Sequence, residues 1–360
     1  MTRTKIVHLL NDFALGGVTR GLAIFECPTL RAQASHSTLA IDPDRLRPPT
    51  LDADIIVMHF PPSWRRLVFL LGLRRRNRTA RIIHVEHSYS RDWADLHVAR
   101  PARFGVMLKL AFALVDDVVA VSGAQAVWLR TVSRTAASKI RVIHPYNRDA
   151  TLARVVDPVF DPGAPLVIGC YGRLHNAKGF DRLIDAFRCL DIADNMRLIV
   201  GGYGADLDLL KHHALGDNRI SFVGKVTHPA AFIEQCHIIA VPSRYETYGQ
   251  VANEAREAGR PILVSTVGGL PEQVGEAGLV VDCTDQDALV AALKGLRDQP
   301  LAAMSQAGRA ATAHCLTERA GLWAALIEKH TPYQSIAGVR SEPSGTRSAI
   351  PMSSSAGQQR

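Results

Sequence analysis

Apolar residues along this chain gather in short runs separated by stretches of helical period, and the alternation repeats from residue 5 to about residue 330. Six runs in the first half read as strands: Lys5–Leu10, Ser37–Ile41, Asp54–Phe60, Arg81–Val85, Val118–Ser122 and Ile140–His144. Six more follow: Leu166–Cys170, Arg197–Val200, Ile220–Val223, Ile238–Val241, Ile262–Val264 and Leu279–Val281. Strands that alternate with helices need parallel crossovers, so each half is expected to be an α/β domain with a doubly wound parallel sheet. Proline and glycine concentrate at Asp157–Pro165, which sets the linker there. The expected N-terminal domain is 1–155 and the C-terminal domain 156–331. Beyond Thr331 the apolar content almost vanishes, and residues 332–360 read as a disordered tail.

Two segments carry candidate chemistry. The apolar run His237–Val241 is broken by Pro242 and Ser243, and a helix over Gln250–Ala258 is closed by Gly259 and Pro261. Glu246 therefore sits on a loop with Thr247, Tyr248 and Gly249, while Glu254 lies inside the helix. Ligands of an open parallel sheet bind beyond the carboxyl ends of its strands, and a helix N-terminus there favours phosphate. A simpler explanation is helix capping, since Thr247 and Gln250 have capping-box spacing and glutamates suit the helix dipole. In the second segment the strand from Leu166 is followed by Gly172, Arg173, Lys178 and Gly179, then by a helix whose apolar face is Phe180, Leu183, Ile184, Phe187 and Leu190. Glycines let the backbone approach a ligand, and the two cations can make charge-assisted hydrogen bonds to a diphosphate. The competing explanation is a solvated basic loop.

Taken together, Gly16-Gly17 after the first strand, Gly172-Arg173 with Lys178-Gly179-Phe180, Gly201 to Gly204, the pair Glu246 and Glu254, and Thr266 to Glu272 resemble the retaining glycosyltransferases of family 4. The resemblance spans residues from about 5 to 330 in the expected order. It implies the GT-B architecture, two Rossmann-like domains facing a cleft, the first for the acceptor and the second for a nucleoside-diphosphate sugar. Glu246, Arg173, Lys178 and His87 are then the expected catalytic residues. Donor contacts are expected from Gly16, Gly17, Arg173, Lys178, Glu246, Thr247, Tyr248, Gly249 and Glu254. In that scheme Glu246 holds sugar hydroxyls, Glu254 bonds the ribose, His87 contacts the donor sugar, and Arg173 and Lys178 neutralise the leaving diphosphate, so no metal and no cofactor is expected. The implied reaction moves a sugar from the donor to an acceptor hydroxyl with retention, in bacterial exopolysaccharide, lipopolysaccharide or lipid-linked glycan assembly. The alternatives are a non-catalytic nucleotide-sugar-binding protein and a GT-B epimerase or hydrolase. His144-Pro-Tyr-Asn147-Arg148 departs from the family's Pro-Asn-Gly loop, so no ligand role passes to it.

Charge changes the picture of partners. Residues 1–150 hold 22 Lys and Arg against 12 Asp and Glu, a net of +10, whereas residues 151–331 hold 17 against 21, a net of −4. The densest basic stretch, Trp64–Arg78, brackets apolar residues with arginines, and the apolar Phe104–Leu114 follows. Both suit peripheral contact with an anionic membrane, and equally suit buried helices with solvated ends. Basic residues are not interleaved with stacking aromatics, which argues against nucleic acid. Six cysteines at 27, 170, 189, 236, 283 and 315 form no close pair, and the first apolar stretch is too short for a signal peptide. A cytoplasmic location is expected, with the inner face of the plasma membrane as the place of any membrane contact. Asp-x-Asp pairs at 42/44, 52/54, 206/208 and 285/287 lie in turns, at a strand entrance or at helix starts rather than in a metal-binding setting. His84 and His87 would point to opposite faces of a strand, which argues against zinc. Gly16-Gly17 lacks the glycine spacing of a dinucleotide fingerprint, which argues against an NAD oxidoreductase.

Overall fold

A computed structural model describes residues 3–11, 16–45, 47–146 and 149–331. Those residues form two six-stranded parallel sheets. The first contains β1 (Thr4–Leu10), β2 (Ala34–Ala40), β3 (Ile55–Met58), β4 (Arg81–Glu86), β5 (Asp117–Ala120) and β6 (Ile140–Val142), in the order β2-β1-β3-β4-β5-β6. The second contains β7 (Leu166–Arg173), β8 (Met196–Tyr203), β9 (Ile220–Gly224), β10 (Ile238–Val241), β11 (Ile262–Ser265) and β12 (Gly278–Val281), in the order β12-β11-β10-β7-β8-β9. Every position of β3 and of β10 is buried, because helices cover both faces of a parallel sheet. That double burial is why these strands read as continuous apolar runs.

In the second sheet the chain reverses direction of growth between β7 and β10, which are hydrogen-bonded neighbours. A crevice opens at such a switch point, and the loops after β7 and β10 both empty into it. The helix Phe180–Arg188 that follows β7 buries Phe180, Leu183, Ile184 and Phe187. Each such side chain contributes roughly 1.5–3 kcal/mol, enough to fix the loop that precedes it.

The structure departs from the sequence expectations in several places. Strands β7 and β8 run on to Arg173 and Tyr203, which pair with each other, so Gly172-Arg173 lies on a strand rather than a loop. A Cβ on Gly202 would stand 2.0 Å from the Gly172 carbonyl oxygen, and only glycine permits this close pairing. β6 ends at Val142, short of the expected His144. Gly16 and Gly17 do not precede the first helix but begin it, as part of Gly16–Gly21. The helix Cys315–His330, expected in the C-terminal domain, packs Ala320, Trp323, Leu326 and Ile327 against the core under the first sheet. Its end is tied there by Lys329 and His330, at 2.7 and 2.5 Å from Asp117. The expected disordered tail at 332–360 and the residues Asn147 and Arg148 lie outside the described residues. No helix among the described residues is long and apolar enough to cross a membrane.

Candidate active site

A cavity of about 230 Å³ opens between the carboxyl ends of the two sheets. From the first sheet's side it is lined by Val18, His59, His87 and Tyr146, from the second by Lys178, Glu246 and Gln250, and Trp323 of the C-terminal helix closes one wall. Lys178 ends a short 3-10 turn, Asn176–Lys178, followed by Gly179 at φ 64°. A side chain at Gly179 would place its Cβ 2.1 Å from the Pro242 carbonyl oxygen, so glycine there lets the β7 and β10 loops touch. The result is a contact between Lys178 Nζ and Glu246 Oε2 at 2.5 Å, with 28% and 16% of the two side chains exposed. The loop bearing Glu246 is backed by Gly268 at φ +53°, where a Cβ would lie 1.7 Å from the Glu246 carbonyl oxygen.

Thr247 is not a helix cap. The residue before the helix Gln250–Glu257 is Gly249 at φ 93°, without a side-chain cap, and Thr247 Oγ1 donates instead to the His87 carbonyl at 3.0 Å. This bond joins the two halves of the cavity. Two others also join loops of the first sheet to loops of the second: Gly268 N donates to Asp92 at 2.9 Å, and Gly123 N donates to Glu272 at 2.9 Å. Tyr248 is buried, stacks on His144 at 5.1 Å, and accepts a hydrogen bond from Arg319 at 2.9 Å. It offers the cavity its ring rather than its hydroxyl.

The other expected site residues sit less directly in the cavity. Glu254 is 4% exposed and accepts a hydrogen bond from the Tyr171 hydroxyl. Burial first, and the Glu254 charge second, push that phenol well above its ordinary range. Gln250, one turn before Glu254, is the residue of this helix face that lines the cavity, and its Oε1 is buried without a partner among the described residues. Arg173 is exposed at the end of β7 and is absent from the cavity wall. Gly16 and Gly17 open the helix whose Val18 and Gly21 border the cavity.

His87 follows β4 directly and lines the cavity, while His84 faces the opposite side of the sheet, 3.1 Å from Glu86. Burial holds the His87 imidazole down at about 4; Glu86 opposes this and His84 adds to it. At neutral pH the ring is therefore uncharged. Its Nε2 lies 3.1 Å from Nδ1 of His59, which the sequence reading missed. The available signal was a histidine directly after the apolar run of β3, as His87 stands after β4. Trp323 carried no such signal, because its place depends on the C-terminal helix returning to the first sheet.

Two parallel α/β sheets closing on one shared cavity define the GT-B class of fold. Among solved structures, sucrose-phosphate synthase from Thermosynechococcus elongatus superposes with a TM-score of 0.68 at 20% identity, over 91% of this chain and 99% of that one. Anabaena HepE, solved in complex with UDP and glucose, gives a TM-score of 0.68 at 17% identity, over 91% of this chain and 100% of that one. At such identities the likeness carries the fold alone.

Residues 165–299 match the family model described as glycosyl transferases group 1. Glycogen synthase of Mycobacterium tuberculosis is 36% identical over 146 residues, 38% of this chain and 35% of the relative. The lipopolysaccharide core biosynthesis mannosyltransferase LpsB of Rhizobium meliloti is 30% identical over 217 residues, 55% of this chain and 60% of the relative. The chain thus spans less than two thirds of the length of these curated relatives.

Proposed function

We propose that this protein transfers a hexose from a nucleoside-diphosphate sugar to an acceptor hydroxyl, with retention of anomeric configuration. The observation that carries the reading is the Lys178–Glu246 pair at 2.5 Å, a cation and a carboxylate held at the mouth of the switch-point crevice. Relatives named for glycogen synthesis and mannosyl transfer, and a structural neighbour bound to UDP and glucose, support the donor class. As the bond between the anomeric carbon and the β-phosphate oxygen breaks, its electron pair passes to the diphosphate. Lys178, and Arg173 when a donor draws it inward, stabilise the charge where it develops, and no divalent metal is required. Glu246, already neutralised by Lys178, holds sugar hydroxyls rather than attacking carbon. The acceptor oxygen then enters on the face the diphosphate leaves, and its proton goes to a phosphate oxygen.

The name of LpsB supports a lipopolysaccharide acceptor, and that of glycogen synthase a polysaccharide one. The exposed Trp64, Val68 and Leu71, with Val106 and Leu110, give the first domain an apolar outer face beside its basic surplus, which supports peripheral contact with the inner leaflet.

The test is a screen of labelled UDP-, GDP- and ADP-sugars against membrane extracts, with EDTA present throughout. Acceptor-dependent label transfer with matching diphosphate release is expected. Tight donor binding without release would replace the enzyme by a binding protein, and release without acceptor would make it a hydrolase.

A further inference from the structure

Arg319 carries a charge into the interior behind the cavity. It stands on the helix Cys315–His330, is 4% exposed, and is absent from the cavity wall. Its Nη1 donates to the Pro145 carbonyl at 2.7 Å, in the segment that follows β6 of the first sheet. Its Nη2 donates at 2.9 Å to the Tyr248 hydroxyl and at 2.9 Å to Asn253 Oδ1, in the loop and helix that follow β10 of the second sheet. The same nitrogen lies 3.4 Å from Cys315 Sγ. The guanidinium also faces the rings of Tyr146 and Tyr248, 5.7 and 5.8 Å from their centroids.

None of these partners is a carboxylate. Glu257 senses the charge, but burial pushes its carboxyl up to about 7, so it is only partly ionised at neutral pH. Burying a cation among neutral groups is costly, and apolar side chains fill such a place at less cost. The arrangement therefore points to geometry rather than to stability.

What the guanidinium fixes is the loop after β10. Glu246 is held by Lys178, and Thr247 by the His87 carbonyl. Tyr248 comes next: its ring stacks on His144, and its hydroxyl donates to Asn253 Oδ1 at 3.2 Å while accepting from Arg319. Tyr248 and Asn253 thus already hold each other. Arg319 adds their joint tie to Pro145, across the gap between the sheets. Pro145, Tyr146 and Tyr248 all line the cavity, so one guanidinium sets the spacing of walls that belong to different sheets.

We propose that Arg319 is a positioning residue, which through Tyr248 and Pro145 holds the loop bearing Glu246 against the first sheet at the spacing the donor's hexose requires. This rests on reading the cavity as a sugar-nucleotide site. Tyr248 meets the ligand, and Arg319 acts through it.

The experiment is titration calorimetry on the full chain with three pairs of probes: UDP and UDP-glucose, GDP and GDP-mannose, ADP and ADP-glucose. Within the pair that the wild type binds, the affinity for the sugar nucleotide relative to the bare diphosphate reads how well the cavity holds the hexose. Arg319→Met keeps an apolar stem and removes the guanidinium. It should lower that relative affinity about three- to tenfold, the worth of one hydrogen bond, and leave the diphosphate's own affinity within about twofold. Tyr248→Phe keeps the ring, removes the hydroxyl and should move the ratio the same way. The double variant should lose less than the sum of the two, because the groups act as a unit. Arg319→Lys, which keeps a charged donor, should recover part of the loss. A merely structural role would lower the unfolding temperature and leave the ratio where it was, so a folded Arg319→Met with the wild-type ratio overturns the proposal. If Arg319→Met fails to fold, an unchanged ratio in Tyr248→Phe overturns it equally. A wild type that binds none of the six probes would instead sink the sugar-nucleotide reading, and this inference with it.

Discussion

Replacing Lys178 by methionine keeps the length of the side chain and removes its charge. Its ammonium lies 2.5 Å from Glu246 and is 28% exposed, between a surface pair and a buried one. Loss of the pair should therefore cost about 1–3 kcal/mol of stability. The kinetic cost should be larger, because the charge matters most as the diphosphate departs. A lost oxyanion donor costs about 2.7–4 kcal/mol, or roughly a hundred- to a thousandfold in kcat. The assay is diphosphate release with saturating donor and acceptor, with thermal unfolding in parallel to show that the variant is folded. Lys178→Met should lower kcat and kcat/KM together, the signature of an interaction made in the transition state. Adding Glu246→Gln should cost little more than Lys178→Met alone, since the two groups act as a unit. Turnover of Lys178→Met within about threefold of wild type, or a loss confined to donor KM, would remove Lys178 from the stabilisation of the departing diphosphate.

Other consequences of the structure are open to measurement. Gly268→Ala places a methyl group on the Glu246 carbonyl in a backbone conformation of positive φ; it should abolish transfer while costing about 1–3 kcal/mol of stability, and unchanged kcat would separate Gly268 from the site. Burial alone would raise Asp117, but hydrogen bonds from His330 and Lys329 hold it at about 2, below its unfolded value of about 3.9. The stability it contributes is present above pH 4 and is lost as pH falls from about 4 to about 2, freeing the C-terminal helix. Fluorescence from Trp323 should follow that loss, and Asp117→Asn should remove its pH dependence. Arg74 is held by Asp116 at 2.7 Å, whereas Arg65 and Arg75 are exposed. Sedimentation with anionic vesicles should therefore weaken in Arg65→Ser with Arg75→Ser; binding unaltered by both changes would remove this face from the membrane contact.

Strands and helices were legible in the sequence because burial on both sides of a parallel sheet leaves continuous apolar runs, as at Ile55–Met58 and Ile238–Val241. The loops that carry Lys178 and Glu246 were legible for the same reason, since glycine and charge break those runs at their carboxyl ends. Pairing between elements was not. Thr247 has the spacing of a cap, yet its hydroxyl bonds to His87, 160 residues away, and Glu254 has the setting of a ligand group, yet it meets Tyr171. His59 and His87 show the limit most clearly: their rings lie 3.1 Å apart at nitrogen, and only the pairing of β3 with β4 makes them neighbours. Local pattern determines which segments bury which face, because burial is set residue by residue. Strand order and the return of the last helix decide which side chains meet, because those contacts form only when distant segments pack.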